Sequence, residues 1–388
     1  MKLWHIVKGT GVNATYNLCG YPIYKIKEKL NVRERIFCKG LLSSKKTFCY
    51  EKGISLKEFF VFKKCFLKRG IYKYRAIVKL FGLTLQDQEE VMAFYKKYKS
   101  KIPADTDYLC FLSTGIGEFS LFLSLCLNNF MKQNHIKHPL FITKNKYHIA
   151  LLNIFCPSLK IILVLDFPFQ RVNEFKINNI RAKYFFPLPY FQQVEKDIHN
   201  KRIHFGESLL NFFELNNKKF DVNLPKILSK WQYTTEEKLK TFSLNNKDFV
   251  FISPQANSCQ RINIKFWNTL VEKLHNKGLK IIFNSSDFSV PPGCLTADFS
   301  LKEAFIIAQK AKAIIGVRSG LLDLLSMSET PIHAIYTAFK DRKDFPPMSK
   351  EYVRIGFDLE KLPKEIRKSK IYSYFYSENL IEEILNNL

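Results

Sequence analysis

The chain has 388 residues, of which 46% are hydrophobic, and its mean hydropathy is -0.14. This is enough apolar material for two cores, so a wholly disordered chain and a polytopic membrane protein are excluded. Lys and Arg number 61 against 35 Asp and Glu, and the formal net charge of +26 indicates an anionic partner: a phosphate-bearing substrate, a nucleic acid or an acidic lipid. Residues 1–100 hold 22 of these cations and only 7 of the acidic residues.

The cysteines and the apolar stretches further restrict the class of protein to which this chain can belong. The nine cysteines are odd in number and form no CxxC pair, which is typical of reduced intracellular thiols and predicts neither a disulfide framework nor a zinc site. No metal or other cofactor is expected, and no secretory signal is apparent. An apolar window over residues 109–130 has the length of a membrane span, but residues 114–118 place two glycines and a carboxylate inside it, which favours a strand-to-helix turn.

Residues 1–80 alternate short apolar and aromatic pieces with basic ones, as in residues 16–27, 35–42 and 66–75. This pattern predicts a degenerate repeat of short strands and turns. Two interpretations stay open: a solvated basic extension, or a patch that binds anionic lipid or an anionic acceptor. A helix is predicted over residues 86–101, and the break after it ends a basic N-terminal extension, residues 1–104.

Strands and helices alternate from residue 105 onward, which is typical of βαβ connections and predicts parallel sheets covered on both faces. In residues 105–247, an N-terminal Rossmann-like domain with its connector, strands are predicted at 108–113, 140–143, 160–165 and 182–186, and helices at 117–133 and 145–155, and residues 203–215 form an amphipathic stretch. In residues 248–388, a C-terminal Rossmann-like domain, strands are predicted at 249–253, 279–284, 313–317 and 332–336, and helices at 262–277, 300–311, 319–327 and 378–388. The predicted fold class is α/β, with two Rossmann-like domains that face each other across a cleft.

Ligands of open α/β sheets bind beyond the carboxyl ends of the strands, so the strand-to-helix turns are the places to search for a site. The first turn contains Gly115 and Gly117, which permit close approach of the backbone, and it leads into a helix whose start favours an anion. Glu118 at that helix start is the candidate catalytic base, able to accept a proton from a hydroxyl. The alternative is a tight packing turn in which Glu118 complements the helix dipole.

The second turn, residues 253–261, offers hydroxyl and amide groups and one guanidinium. Its candidate donor-binding residues are Ser253, Gln255, Asn257 and Arg261, an inventory that suits a phosphate or a nucleoside. An ordinary polar loop is the alternative interpretation.

The third turn follows a buried strand and contains Arg318, Ser319 and Gly320. This turn places a cation, a hydroxyl and backbone N–H groups at the start of a helix, which predicts a site for a diphosphate. The planar guanidinium would donate two parallel hydrogen bonds to the phosphate oxygens. Asp323, one turn further on, either orients Arg318 or a sugar hydroxyl, or is a solvated residue.

The second half of the chain resembles the C-terminal domain of the heptosyltransferases, glycosyltransferase family 9, and of related bacterial GT-B glycosyltransferases. The resemblance is carried by residues 277–283 (Lys-Gly-Leu-Lys-Ile-Ile-Phe), by Ser-Leu-Lys-Glu at 300–303 and above all by residues 311–323. That last segment corresponds to the family's Asp-Ser/Thr-Gly-x-x-His, with Arg318 in place of the Asp and Asp323 in place of the His. The N-terminal residues resemble epsilonproteobacterial surface-polysaccharide glycosyltransferases.

The resemblance implies an inverting, metal-independent GT-B enzyme that moves a sugar, a heptose among the candidates, from a nucleotide-diphosphate sugar to a lipopolysaccharide or lipooligosaccharide core or to a capsular polysaccharide. The resemblance implies that residues 105–247 are the acceptor domain and residues 248–388 the nucleotide-sugar domain. Glu118 occupies the position of the family's Asp and thereby takes its role as general base, with Gly115 and Gly117 in the acceptor-side loop. Arg261 lies near the position of the family's basic phosphate ligand. The implied partners are the donor, a lipid-linked or polysaccharide acceptor and an anionic membrane surface at residues 1–100. The implied location is cytoplasmic and peripheral on the inner face of the inner membrane.

Three other functions stay open. One is another nucleotide-sugar enzyme of the same fold, which transfers a different group or acts as an epimerase. A second is a nucleic-acid-binding protein driven by the N-terminal charge, but the tyrosines there come with no nucleic-acid-binding motif, so nucleic acid is not the expected partner. The third is a structural protein of the membrane surface, which would leave the three turns unexplained.

Overall fold

In a computed structural model, the described part of the chain comprises the backbone of nine strands between residues 4 and 86, and residues 94–388 apart from 166–173, 178–179, 187, 216–220, 286–288, 298, 341–347 and 378. The chain divides into two units. The first unit contains residues 1–113, 138–144 and 164–192, and the second contains residues 114–137, 145–163 and 193–388. The domain limits predicted at residues 104 and 247 stay predictions.

Nine strands of the first unit form one antiparallel meander, in which each strand pairs with the next along the chain. They are β1 (Trp4–Lys8), β2 (Ala14–Leu18), β3 (Tyr21–Lys29), β4 (Val32–Phe37), β5 (Leu42–Cys49), β6 (Ile54–Val61), β7 (Lys64–Tyr72), β8 (Arg75–Leu80) and β9 (Leu83–Gln86). The short strands predicted from the repeat pattern are therefore present. Residues 94–101 are helical, as predicted, whereas residues 87–93 of the same predicted helix lie outside the described residues.

The first unit also contains four strands of a mainly parallel sheet. They are β10 (Tyr108–Leu112), β11 (Pro139–Thr143), β13 (Glu174–Ile177) and β14 (Ile180–Tyr184), and their order is β11-β10-β14-β13. Every residue of β10 and β11 is buried, which explains their continuous apolar sequences. Only β13 runs antiparallel to its neighbour, and it was not predicted.

The second unit is built around a six-stranded sheet in which all neighbouring strands are parallel. The strand order is β17-β16-β15-β18-β19-β20, with β15 (Phe249–Ser253), β16 (Lys280–Asn284), β17 (Leu295–Ala297), β18 (Ala313–Val317), β19 (Ile332–Tyr336) and β20 (Ile371–Phe375). A further strand of this unit is β12 (Lys160–Leu163). The predicted α/β fold class with parallel sheets is confirmed.

The helices are α1 (Ile116–Leu121), α2 (Leu127–Gln133), α3 (Lys146–Phe155), α4 (Leu188–Lys196), α5 (Phe205–Phe212), α6 (Ser229–Thr241), α7 (Ile264–Asn276), α8 (Leu301–Lys310), α9 (Gly320–Leu325), α10 (Lys350–Phe357) and α11 (Leu380–Asn386). A π-helical turn, Phe122–Cys126, joins α1 to α2 within the predicted helix at 117–133. None of the helices in the described part of the chain is long and apolar enough to cross a bilayer.

The core of the second unit lies between the sheet and helix α7. The stripe predicted from four-residue spacing, Ile262, Phe266, Leu270 and Leu274, is buried against strands β15 and β16. The predicted capping box of α8 is present: the Ser300 hydroxyl and the Glu303 carboxylate each accept a hydrogen bond from the other residue's backbone N–H. Helices α4, α6 and α10 and strands β17 and β20 were not predicted.

Three histidines of the second unit, His148, His204 and His333, are buried. Burial lowers their pKa values from 6.5 to about 4, about 3 and about 4, and for His204 the charges of Arg318 and Lys361 add to the shift. The folded state therefore holds these rings neutral. Since the unfolded chain binds protons more readily, this part of the stability is present above pH 6.5 and is lost as the pH falls toward the folded pKa values.

We expect the free energy of unfolding to fall by about 2 kcal/mol for each buried histidine between about pH 7.5 and about pH 5. In the unaltered protein the His204 ring accepts a hydrogen bond from the Gly206 N–H at the start of α5. The substitution His204→Asn keeps a hydrogen-bond acceptor at this position and removes the titrating imidazole. This variant should recover about 2 kcal/mol of the acid-induced loss, measured by urea unfolding at both pH values. The exposed His135→Asn is the control; an equal recovery in both variants would contradict the assignment.

Candidate functional site

Two glycine-containing turns of the second unit pack directly against each other. The turn into α1 contains Gly117, and the turn into α9 contains Gly320. A Cβ atom added at Gly320 would lie 2.5 Å from the Gly117 nitrogen, and one added at Gly117 would collide with a carboxylate oxygen of Asp323. Because the two backbones approach so closely, both positions require glycine. The first and third turns singled out from the sequence therefore lie side by side.

Arg318 is buried at the end of β18, and three backbone or side-chain oxygens hold its guanidinium. Nε donates to the Phe357 carbonyl at 2.6 Å, Nη1 to the Ser319 carbonyl at 2.7 Å, and Nη2 to Asp323 Oδ1 at 2.7 Å. The rings of Phe205 and Phe357 each lie 5.7 Å from Cζ, within the range of a cation–π contact. The guanidinium fork thus has partners within the chain, and its predicted contact with a diphosphate stays a prediction.

Asp323 is 1% exposed and is the acidic partner of Arg318. Burial raises the pKa of its carboxyl to about 7; the Arg318 guanidinium opposes this shift, and the Glu118 carboxylate adds to it. Either charge left alone in this environment would be costly, so the two residues depend on each other. The interpretation of Asp323 as a solvated residue is wrong, and its ion pair agrees with the alternative that it orients Arg318.

The segment that follows α10 is fixed by the last strands of the sheet. The hydroxyl of Tyr336, at the end of β19, accepts from the Leu359 backbone N–H at 2.9 Å. One oxygen of the buried Asp358 accepts from the Ser373 hydroxyl on β20 at 3.2 Å. These bonds hold the Phe357 carbonyl at the position where the guanidinium reaches it.

The loop that follows β15 lies beside the end of β18. Ser253 is opposite Gly316 in the parallel register, and a Cβ atom added at Gly316 would lie 2.8 Å from the Ser253 carbonyl oxygen. Further along this loop, Cys259 Sγ donates to the Arg318 carbonyl at 3.3 Å. The two loops predicted to bind the donor are therefore neighbours, although they lie far apart in the sequence.

Three buried polar atoms on these turns have no hydrogen-bond partner: Thr114 Oγ1, Gln255 Nε2 and Ser319 Oγ. Nearly all buried polar atoms of proteins are satisfied, so unpartnered ones at neighbouring loops point to a ligand or an ordered water. Two hydroxyls and an amide are groups that bind phosphate oxygens, sugar hydroxyls or a nucleobase. Each of the three turns found in the sequence contributes one of these atoms.

The remaining predicted residues differ in exposure. Glu118 is half-buried in the first turn of α1, and its carboxylate lies over Gly115, where an added Cβ atom would be 2.7 Å from Oε2. Asn257 and Arg261 are exposed on the loop that follows β15. The structure therefore brings Glu118 to the paired glycine turns and leaves Asn257 and Arg261 on the outside of their loop.

Sequence reasoning did not identify Phe205, Phe357 or His204 as part of the site. Phe205 lies in an amphipathic stretch, where a buried ring indicates core packing and nothing more. The second ring, Phe357, belongs to α10, a helix that was not predicted. The contacts of both rings with the guanidinium depend on residues distant in the chain, which no local pattern encodes.

The family model described as glycosyltransferase family 9 (heptosyltransferase) matches residues 192–374, somewhat less than half of the chain. The match spans both predicted donor loops and the Arg318–Asp323 pair. The resemblance stated from the sequence is confirmed, and the enzyme class is confirmed with it: the chain is a glycosyltransferase, similar to heptosyltransferases. No curated protein matches this chain.

Several solved structures are similar to the chain at low identity. The glycosyl transferase family 9 protein from Veillonella parvula is 11% identical with a TM-score of 0.44, over 74% of this chain and 92% of that one. E. coli ADP-heptose lps heptosyltransferase II is 12% identical with a TM-score of 0.41, over 72% and 98%. E. coli heptosyltransferase WaaC, solved with ADP, is 10% identical with a TM-score of 0.43, over 72% and 99%. The family match, rather than these structures, carries the assignment.

The Arg318–Asp323 pair should behave as one unit in unfolding experiments. Arg318→Met leaves a carboxyl buried without its partner, and Asp323→Asn leaves a buried guanidinium, so each should lower the free energy of unfolding by about 3–5 kcal/mol. The double variant should lose about 1–3 kcal/mol less than the sum of the single losses, as measured by denaturant unfolding of all four proteins.

The exposed ion pair between Lys132 and Asp221 provides the matched control, since solvent screens it and little coupling is expected there. Strictly additive losses at Arg318 and Asp323 would show that the two charges are independent and would contradict the interpretation.

Proposed function

We propose that the chain is an inverting, metal-independent glycosyltransferase that moves a sugar from a nucleotide-diphosphate donor to a lipopolysaccharide-type core or capsular acceptor at the cytoplasmic face of the inner membrane. The observation that carries this proposal is the meeting of two glycine turns, a half-buried carboxylate and three unpartnered polar atoms. The heptosyltransferase family match covers the turn with Ser319 and the loop with Gln255, and the turn with Glu118 packs against this matched part. A heptose is the sugar that the family resemblance favours.

The donor diphosphate lies, in this proposal, against the turns that hold Ser319 and Gln255. The Ser319 hydroxyl donates to a phosphate oxygen, and the Gln255 amide donates to the diphosphate or to the nucleoside. Asn257 and Arg261 are exposed on the same loop, where a ligand from solvent can reach them. Such fixed donors stabilise the charge that develops on the leaving phosphate, which is why no metal is proposed.

Glu118 is the proposed general base. Its carboxylate takes the proton of the acceptor hydroxyl while the hydroxyl oxygen attacks the anomeric carbon of the sugar. The bond between that carbon and the phosphate oxygen breaks, and the nucleoside diphosphate leaves with the electron pair. Attack from the face opposite the leaving group inverts the anomeric centre. Gly117, which precedes Glu118, packs against Gly320, so the base lies close to the proposed phosphate site.

Arg318 and Asp323 act as positioning residues in this proposal. The guanidinium donates hydrogen bonds to the Phe357 and Ser319 carbonyls and to Asp323. Its direct role is therefore to fix the Ser319 turn, and not to bind two phosphate oxygens at once. Its positive charge still adds to the favourable potential for an anion nearby. Asp323 pairs with this charge and lies against Gly117 in the turn into α1.

Nucleotide binding is tested by a thermal-shift screen of the purified protein against ADP, GDP, UDP, CDP and TDP, in the presence of a chelator and again with Mg²⁺. One nucleotide should raise the melting temperature without metal, since a ligand at about 100 times its Kd stabilises the folded state by about 2.7 kcal/mol. Ser319→Ala should weaken that binding about tenfold through the loss of one hydrogen bond to a charged group.

Ser328→Ala is the matched control, because the Ser328 hydroxyl is buried in the same unit and already donates to the Leu325 carbonyl. Its nucleotide shift should equal that of the unaltered protein. No shift with any nucleotide in folded protein, or an equal loss in both serine variants, would contradict the proposed donor site.

The role of Glu118 is tested by Glu118→Gln, assayed as release of nucleoside diphosphate with a rough-type lipopolysaccharide as acceptor. The variant should lose about 10²–10⁴-fold in kcat, since an amide cannot accept the proton, while its nucleotide shift stays unchanged. The exposed Glu329→Gln should leave kcat unchanged. Full activity of Glu118→Gln would remove the proposed base.

A further inference from the structure

A pocket of about 420 Å³ lies at the start of α5, within the second unit. Its lining comes from two places in the sequence, residues 202–210 at the start of α5 and residues 361–363 beyond α10. The lining residues are Arg202, His204, Glu207, Leu210, Lys361 and Pro363. Small-molecule sites have volumes of about 300–1,000 Å³, so the pocket is large enough for a monosaccharide derivative. None of its residues belongs to the proposed donor site.

Three charged side chains of this pocket are exposed and have little to bind within the chain. Among the described residues, Arg202 and Glu207 form no ion pair and no side-chain hydrogen bond, either with each other or with a neighbour. Lys361 Nζ donates one long hydrogen bond, of 3.4 Å, to the Ile355 carbonyl. Two cations and one carboxylate therefore line the same pocket with their binding capacity almost unused.

The backbone of Arg202 is held in a conformation that residues other than glycine rarely adopt. Arg202 follows a π-helical turn, Asp197–Lys201, with φ of 54°, and its backbone N–H donates to the Asp197 carbonyl. The Asp197 carboxylate is buried and accepts from the Ser208 hydroxyl on α5 at 2.7 Å, which ties this turn to the helix. Left-handed residues of this kind persist where the surrounding structure fixes them, and they are frequent at ligand sites.

His204 forms the buried part of the lining. Its Nδ1 accepts from the Gly206 N–H, and its ring lies 4.9 Å from the ring of Phe205, which contacts the Arg318 guanidinium. Burial lowers the pKa of this imidazole to about 3, and the charges of Arg318 and Lys361 lower it further. The positive potential that disfavours a protonated imidazole here favours an anion in the pocket beside it.

We propose that this pocket binds a sugar that carries a phosphate group. Arg202 and Lys361 bind the phosphate oxygens, the guanidinium through two parallel hydrogen bonds. Glu207 accepts hydrogen bonds from hydroxyls of the sugar ring. Leu210 and Pro363 contact the C–H groups of the ring. An inorganic anion alone matches the two cations but would be repelled by the carboxylate, and it gives the apolar lining no role.

Such a phosphate has two possible sources: a free sugar phosphate, or a phosphorylated sugar within the acceptor. Helix α5 packs against the helix that begins with the proposed base, since a Cβ atom added at Gly206 would lie 3.9 Å from Leu121 Cδ1, and Leu121 is three residues beyond Glu118. The second source rests on the proposed function. Binding of a sugar phosphate by itself does not depend on it.

The binding experiment titrates the full chain with glucose 6-phosphate, glucose and inorganic phosphate by isothermal titration calorimetry. Glucose 6-phosphate should bind more tightly than phosphate, and glucose should show no binding at the same concentrations. The double variant Arg202→Gln, Lys361→Gln should bind glucose 6-phosphate on the order of 10²-fold more weakly, since each hydrogen bond between charged groups contributes roughly tenfold to the affinity.

The matched control is the double variant Lys230→Gln, Lys312→Gln, which removes the same charge from two exposed positions outside the pocket. Its affinity for glucose 6-phosphate should equal that of the unaltered protein. An unchanged melting temperature without ligand shows that each variant is folded.

Glu207→Gln separates a sugar phosphate from a bare anion. Removal of the carboxylate takes away an acceptor for ring hydroxyls and also a charge that repels phosphate. The variant should therefore bind glucose 6-phosphate severalfold more weakly and inorganic phosphate severalfold more tightly. These opposite changes distinguish a ligand contact from a general loss of structure.

The two sources are distinguished in the transferase assay with a rough-type lipopolysaccharide, used as isolated and after chemical dephosphorylation. If the phosphate belongs to the acceptor, the Arg202→Gln, Lys361→Gln variant should raise KM for the phosphorylated acceptor alone, and glucose 6-phosphate should compete with that acceptor. If the ligand is free, glucose 6-phosphate should change kcat without such competition. Either result supports the pocket as a sugar-phosphate site.

Three results would overturn the proposal: no binding of glucose 6-phosphate to the folded protein, equal losses in the two double variants, or parallel changes for both ligands in Glu207→Gln. Loss of the nucleotide shift in the Arg202→Gln, Lys361→Gln variant, with glucose 6-phosphate still bound, would assign these cations to the donor instead. The donor site itself is tested by Ser319→Ala and nucleotides, so its failure and the failure of this pocket are separate observations.

Discussion

The ion pair between Arg318 and Asp323 is the constraint on which the candidate site depends. Both residues are almost fully buried, so each charge needs the other and needs every remaining polar atom satisfied. The Phe357 and Ser319 carbonyls supply the rest of the acceptors, and two phenyl rings enclose the guanidinium. Since Asp323 also lies against Gly117, the same pair decides how closely the turn into α1 approaches the turn into α9.

The pair also couples the proposed base electrostatically to the proposed donor turn. The Glu118 carboxylate raises the pKa of Asp323, so the two acids and the one guanidinium form a small system of charges around the paired glycines. A diphosphate that enters beside Ser319 adds negative charge to this system. The cation that compensates it is already held in place, so the site has little reorganisation to undergo when the donor binds.

Much of the fold could be predicted because its signals are local. Strands β15 and β18 are almost entirely apolar between turns, and the capping box of α8 needs only Ser300 and Glu303, three positions apart. The site was found only in part. Its three turns follow from the rule on strand ends, but the inward orientation of Arg318 depends on the Phe357 carbonyl, 39 residues away in a helix that was not predicted. Long-range contacts of this kind decide whether a cation faces a ligand or the protein.

The resemblance noted from the sequence sets residues 318–323 beside the family's Asp-Ser/Thr-Gly-x-x-His, with Arg318 first and Asp323 last, so the order of acid and base along the segment is reversed. In this chain the residue at the strand end and the residue one turn into the helix attract each other as a buried ion pair. The cation therefore belongs to the strand end, where two rings cover it. In the proposed donor site, Arg318 and Asp323 are the two positions at which contacts should differ from those that the resemblance implies, whereas Ser319 and Gly320 match the segment.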